Sequence, residues 1–398
     1  MFAERRAGLP QSLLLLSGSC LPVLGAVLIA PVLPRMQAHF ADVAGVEVLV
    51  PIVLTIPALV IALLAPLAGM IADRLGRRPL LLLSMLLYGI CGLAPFWLDS
   101  LPAILASRAG LGLAEAGIMT CCTTLMGDYF SGAQRHRLFA LQMVATSLSA
   151  AIFIALGGAL GQNDWRLPFA LYAAGFVFLP LMALLLWEPA RHEPCHQALS
   201  RGDFPWRRLL PLYVLTLMAG ISLFIVPVQA GYLLNLLQVE APRDIGLTMG
   251  ANQFGVLVGA LSFRRLSHLR RSVLLLLAFG TAGTGGLLMA FSTSHGMVTI
   301  AVLINGLGIG LMLPTLITQV MAQVDYEHRG RATGGFTAAL FAGEFMSPLV
   351  VLALTGASGS DLSLALAIVG LAQLLVAGIC AVLFRGTGSV PSAEAGAA

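Results

Sequence analysis

Lysine is absent from this 398-residue sequence, and charged residues of every kind make up only 10% of it. A soluble domain carries about 25% charged residues. With so few, a water-soluble core of this size has too little polar surface to cover it, which excludes an ordinary soluble protein. None of the seven histidines falls well inside an apolar segment, His136 standing only at the edge of one, so a histidine proton relay is not expected. The six cysteines, Cys20, Cys91, Cys121, Cys122, Cys195 and Cys380, have no metal-ligand spacing, and five of them lie in apolar segments as small packing residues. There is no His-rich cluster and no Ser/His/Asp arrangement at workable spacing, so no metal, no cofactor and no catalytic chemistry is expected. Arg5 and Arg6 precede an apolar run in the manner of a signal peptide. No small-residue cleavage site follows and the run is full length, so it is expected to be a first membrane span.

What is present is apolar sequence: 58% hydrophobic residues and a mean hydropathy of +0.93. Charge-free runs of 18 or more residues mark membrane helices. Twelve are expected, at about 11–34, 44–70, 80–98, 102–128, 136–161, 167–187, 209–235, 244–263, 272–291, 297–322, 331–355 and 361–384. Connections are short, except for the polar stretch 188–208 with Glu188, Arg191, Glu193, Arg201 and Asp203. The expected fold is therefore an all-α polytopic membrane protein of twelve transmembrane helices. It divides into a six-helix bundle over 1–187, a linker over 188–208, a second six-helix bundle over 209–385 and a disordered tail over 386–398.

All basic charge is arginine, and its placement is uneven. Eighteen arginines fall on the side of the N-terminus and only Arg35, Arg166 and Arg243 on the other, with Arg108 inside a span. Basic loops face the cytoplasm, so both termini and the linker are expected there, as in a bacterial-type inner membrane. The same placement accounts for the net charge of +4 without a nucleic-acid partner; the partner is the lipid bilayer. The loops after spans 2 and 8 are both basic, a weak sign of an internal repeat. Repeated halves put a substrate site between them near the midplane, around which they rock.

The sharpest local signal is Gly69-Met70-Ile71-Ala72-Asp73-Arg74-Leu75-Gly76-Arg77-Arg78, between spans 2 and 3. Gly69 permits close helix approach, Gly76 suits a tight turn, and Asp73 is a lone acid among three arginines. This stretch resembles the loop 2–3 signature of the major facilitator superfamily, Gly-x-Leu-Ala-Asp-Arg-x-Gly-Arg-Arg/Lys, with only Ile71 departing. The resemblance extends in topology over nearly the whole chain and is nearest to the twelve-helix drug/metabolite:proton antiporter group. It implies a conformational latch of Gly69, Asp73, Arg74, Gly76, Arg77 and Arg78. In it Asp73 meets the start of span 11, and Asp128, at the end of span 4, pairs with a loop arginine. The resemblance also implies a protein without enzyme activity and, by default, a monomer.

Span 4 carries Arg108-Ala109-Gly110-Leu111-Gly112-Leu113-Ala114-Glu115. Arg108 and Glu115 are seven residues apart and so share a helix face. Charges at that depth face a cavity or a partner. The stretch fits the family pattern Arg-x-x-x-Gly-x-Gly/Ala, and the resemblance implies a part for Arg108 in proton coupling; a structural hydrogen bond is the other reading. Glu115 is either a coupling carboxyl or simply the partner of Arg108. Glu344 in span 11 is the other intramembrane acid, a proton carrier or a packing residue. In span 5 the exporters' Gly-Pro-x-x-Gly-Gly is replaced by Phe153-Ile154-Ala155-Leu156-Gly157-Gly158, which weighs against antiport. In this fold the cavity lies among spans 1, 4, 7 and 10, and Thr120, Thr124, Gln229, Tyr232, Asn235 and Asn305 are its expected polar lining. Gly306, Gly308 and Gly310 read as close helix packing rather than a nucleotide-binding fragment.

These residues point to alternating-access transport of a small organic or amphipathic molecule, with protons as the coupling ion and efflux as the direction. Protonation of Glu115 or Glu344 would weaken their ion pairs and bias the equilibrium. The alternatives are a proton symporter importing an organic anion or metabolite on Arg108, and a non-transporting membrane scaffold or sensor.

Overall fold

The computed structural model describes residues 7–189, 204–325, 328–357 and 361–383. The expected linker, apart from its two ends, and the expected tail lie outside the described residues. Among the described residues, twelve helical segments are long and apolar enough to cross a membrane. Spans 2–5 are Val46–Leu75, Arg77–Leu93, Leu101–Tyr129 and Gly132–Leu160. Spans 7–12 are Trp206–Leu236, Pro242–Leu266, Arg271–Ala290, His295–Met321, Arg329–Ala357 and Leu362–Leu383. Span 7 begins inside the expected linker, because Trp206 follows Pro205 directly into the helix.

Two spans are compound. Span 1 runs as a helix over Leu9–Val27, tightens to a 3₁₀ turn over Ala30–Val32, and resumes over Leu33–His39. Pro31 and Pro34 lack the amide hydrogen that a continuous helix would use there. Span 6 enters through a 3₁₀ turn, Leu167–Ala173, before the helix Ala174–Leu185.

The packing is repetitive. In the first six spans, 2 packs on 4, 3 on 4 and 6, and 1 on 4 and 5; in the last six, 8 packs on 10, 9 on 10 and 12, and 7 on 10 and 11. The two sets correspond position by position. The main junctions between them are 5 with 8 and 2 with 11, which also correspond.

Those junctions are not uniform along the helices. Near the arginine-poor face, Gly158 of span 5 lies against Pro242 and Gly246 of span 8, and Gly231 of span 7 lies against Pro34. One buried cluster joins both sets there, with Ile29, Leu33 and Leu54 packed in the same core as Phe224, Leu234 and Ile245. Toward the arginine-rich face a second cluster, including Leu212, Leu274, Leu316 and Phe336, contains no residue of the first six spans. Helix faces without side chains to separate them approach closely, so the glycines close one end.

Candidate functional site

Between the two sets of spans lies a cavity of about 200 Å³. Its walls are apolar, from Val23, Leu54, Met119, Leu223, Phe224 and Phe341, and among its described lining residues only Glu115, Glu344 and Gln253 are polar. Span 4 supplies Glu115 and span 11 supplies Glu344, so each set of six contributes one carboxyl. Glu115 is 1% exposed and Glu344 4%. Pro22 and Pro227, each inside its helix, also border the cavity.

Arg108 reaches the same region from one side but does not enter the cavity. Its guanidinium is fully buried and donates from Nε to the Val53 carbonyl at 3.1 Å, from Nη1 to the Tyr172 hydroxyl at 2.7 Å and from Nη2 to the Gly25 carbonyl at 2.7 Å. These acceptors sit on spans 2, 6 and 1. The Tyr172 hydroxyl therefore accepts here, and the Tyr88 ring lies tilted against the Tyr172 ring, its own hydroxyl donating to the Leu21 carbonyl at 2.8 Å. All three guanidinium nitrogens thus serve neutral oxygens, and the arginine ties four spans of one set together.

Two expectations are corrected by this geometry. Among the described residues neither Glu115 nor Glu344 has an ion-pair partner, so protonation has no such pair to weaken there. Glu115 shares a helix with Arg108, but the guanidinium is turned toward spans 1, 2 and 6. The Oε1 atom of Glu115 is buried with no hydrogen-bond partner. It rests against Gly25, the only residue type whose α-carbon leaves it room, since any Cβ there would meet the carboxyl.

The expected polar lining is also displaced. None of Thr120, Thr124, Gln229, Tyr232, Asn235 and Asn305 borders the cavity, and span 10 contributes no wall; spans 2, 5, 8 and 11 do instead. Span 10 is drawn away because Gly306 and Gly310 press on the backbone of span 8 and Gly308 on that of span 9. Asn305 consequently donates to the Ala282 carbonyl at 2.9 Å and accepts from Asn252. Thr124 bonds the carbonyls of Thr120 and Cys121 on its own helix. Gln229 is buried, and Tyr232 and Asn235 each keep a buried oxygen without a partner.

At the arginine-rich face, Gly76 takes φ +88° and ψ 144°, a conformation open essentially to glycine alone, and turns the chain into span 3. Gly69 makes no close helix contact: it is exposed and a Cβ there would meet nothing within 4 Å. The expected approach fails because the two sets of spans diverge at this end. Arg77 is ion-paired with Asp128. The Asp73 side chain lies outside the described residues.

One residue here was not singled out in the sequence. Glu188, just past span 6, accepts from the backbone nitrogens of Arg77 at 2.9 Å and Arg78 at 2.8 Å. It caps the exposed amides that begin span 3, where negative charge is favoured. Arg78 donates to the Ala183 carbonyl at 2.6 Å, and Tyr129 stacks on Trp187. The loop is thereby fastened to spans 4 and 6. A lone glutamate at the start of a polar linker gave no signal of this, because a cap made across 110 residues leaves no local spacing to read.

Twelve spans in two corresponding sets around a central cavity define a membrane transporter fold. The chain belongs to the Major Facilitator Superfamily, whose family model matches residues 15–348. It is 27% identical over 382 residues to a class C tetracycline resistance protein of Escherichia coli, covering 89% of this chain and 92% of that one. It is 23% identical over 354 residues to a bacillibactin exporter of Bacillus subtilis (strain 168), covering 83% and 86%. Among solved structures, a bacterial homolog of the human lysosomal transporter Spinster, inward-facing and occupied, superposes with a TM-score of 0.74 over 95% of this chain and 97% of that one at 15% identity. The last of these is a likeness of fold alone.

Proposed function

We propose that this protein is a proton-coupled exporter of small amphipathic molecules in a bacterial inner membrane, working by alternating access between two six-helix halves, 1–187 and 209–385. The observation that carries this reading is the apolar cavity with one buried carboxyl from each half, Glu115 and Glu344. An unpaired buried carboxylate is costly, and a proton removes that cost. Proton occupancy then changes the free energy of bringing the halves together around the cavity, which is what coupling requires. Export is supported by the relatives, one named for tetracycline resistance and one for export of bacillibactin.

The arginine distribution supports cytoplasmic termini. In that orientation the glycine-packed end faces outward and the structure represents an inward-facing state. The Arg77–Asp128 pair and the Glu188 cap then belong to the latch with Gly69, Asp73, Arg74, Gly76 and Arg78, released and remade as the halves rock. The protein acts as a monomer in this scheme, since the cavity is complete within one chain.

Symport of an organic anion is the second reading. It is favoured by the replacement of the exporters' Gly-Pro by Phe153-Ile154 in span 5. Against it, each nitrogen of the Arg108 guanidinium already donates to a neutral oxygen, of Val53, Tyr172 or Gly25, and among the described residues no arginine lines the cavity. The test is flux in proteoliposomes: Glu115→Gln is expected to uncouple transport from the pH gradient. Undiminished proton-driven flux in that variant removes Glu115 from the mechanism. In energised inverted vesicles, substrate addition is expected to raise internal pH; the opposite sign establishes symport.

A further inference from the structure

We infer that an anionic phospholipid of the inner leaflet bridges the start of span 5 and the end of span 8, its headgroup neutralising arginines that closure of the cytoplasmic end brings together. This rests on the alternating-access reading and the orientation given above, and concerns a surface away from the cavity. Spans 5 and 8 run antiparallel and meet near the arginine-poor face, with Gly158 against Pro242 and Gly246, and Gly250 beside Ala151. Continued along both helices, that register brings Arg135 and Arg137 level with Arg264 and Arg265. In this structure all four arginines are exposed, and Gly255 and Gly259, farther along span 8, lie against span 10. Closing this end sets two arginines of one half against two of the other, which like-charge repulsion opposes.

The corresponding junction, of spans 2 and 11, carries an acid. Gly259 and Phe263 are spaced as Gly69 and Asp73 are, and an arginine follows in both cases, but phenylalanine stands in the place of the acid. No guanidinium among Arg135, Arg137, Arg264 and Arg265 makes an ion pair or hydrogen bond with a described residue. Of the described acids near this face, Asp128 is paired with Arg77, Glu188 caps span 3, and Asp325, just past span 10, makes no ion pair with any of the four. The countercharge therefore comes from outside the described chain. About one turn deeper, span 5 exposes Leu141 and span 8 exposes Leu261. A partner with phosphate above hydrocarbon matches both the charge and the apolar surface beneath it, whereas a free anion matches only the charge. Guanidinium groups present paired donors that suit phosphate oxygens, and basic residues at the membrane surface attract anionic headgroups.

The test uses the full-length protein in nanodiscs of phosphatidylcholine, alone or with about one-third phosphatidylglycerol. Spin labels at Gln162 and Glu240, both exposed at the arginine-poor face, report the state, because closing the cytoplasmic end opens this one and lengthens the distance. Phosphatidylglycerol is expected to raise the ratio of long to short distance about fivefold or more, and less at high salt. The variant Arg264→Gln, Arg265→Gln is expected to lose that response. In phosphatidylcholine alone it is expected to favour the long distance more than the parent does, because repulsion is relieved. Arg207→Gln, Arg208→Gln removes the same charge from the start of span 7 and is expected to respond as the parent does. The parent's dependence on headgroup and salt keeps the test decisive if a variant does not fold. No response of the parent to phosphatidylglycerol, an equal response after the Arg264 and Arg265 substitutions, or the same shift from inorganic phosphate added to phosphatidylcholine discs overturns the inference. If the parent then still shows both distances and carries flux, the exporter reading stands and only the lipid bridge falls. A single distance in every lipid, with no flux, overturns both.

Discussion

Gly246→Ala tests whether the glycine-packed end is a moving contact. A Cβ at Gly246 would stand 2.9 Å from the Ile154 carbonyl oxygen and 3.1 Å from the Gly158 α-carbon. Both neighbours are backbone, so no side-chain rotation relieves the contact and spans 5 and 8 must separate. Overpacking of this kind costs about 1–3 kcal/mol. Because spans 5 and 8 belong to different halves, the cost falls only on the state in which this end is closed. Closed-state occupancy relative to the open state should therefore drop roughly 5- to 150-fold. The intrinsic preference of a helix for alanine over glycine, about 1 kcal/mol, acts equally in both states and leaves their ratio alone. Spin labels at Gln162 and Glu240, both exposed at this face, would report the change as growth of a longer distance. A folded variant whose distance distribution matches the parent would refute the reasoning, because the junction would then be a fixed seam.

Three further outcomes are expected. Arg108→Lys keeps the charge, but a single ammonium cannot span acceptors on three helices. With about 1.5–3 kcal/mol for each hydrogen bond to a charged group, the loss of two should visibly lower the melting temperature in detergent, and an unchanged melt would contradict the network. Glu188→Ala should free the first amides of span 3 at about 0.5–2 kcal/mol and speed hydrogen exchange at Arg77 and Arg78, whereas Glu188→Gln should recover part of the protection; equal exchange in all three proteins would remove the cap. Gly76→Ala should cost about 1–3 kcal/mol at its φ of +88° and reduce flux more than substrate binding, which a flux assay beside equilibrium binding would separate.

The helices and their number were legible because the bilayer enforces a length and a composition that no packing detail overrides. The loop 2–3 turn was legible for a similar reason: Gly76 needs its backbone geometry whatever surrounds it. The cavity was legible only in its acids. Glu115 and Glu344 stand out because an ionisable residue inside a span always needs a reason. Thr124 and Asn305 do not, since a hydroxyl or amide within a helix can as easily bond its own backbone or a neighbour's, and both do so here. The partners of Arg108 were invisible for a different reason. Two are main-chain carbonyls, which any sequence supplies, and the third, Tyr172, lies 64 positions away.

That last point bears on mechanism. Every acceptor of Arg108 lies in the first six spans, so in the alternating-access cycle proposed above the arginine and its partners would move as one body. The distances from its guanidinium to Val53, Tyr172 and Gly25 then stay constant through a cycle, and its charge does no switching by itself. Gly25 gives this unit a second use: its carbonyl receives Arg108 while its bare α-carbon makes room for the Glu115 carboxyl. The arginine thereby fixes the wall against which Glu115 rests, without neutralising it. Glu344 is carried by span 11 of the other set, so in that proposed cycle the separation of the two carboxyls would be the electrostatic quantity that rocking changes. Under the proposed function, an occupant of the cavity would act on the conformational equilibrium through the acids, with Arg108 as the frame that keeps one of them in place.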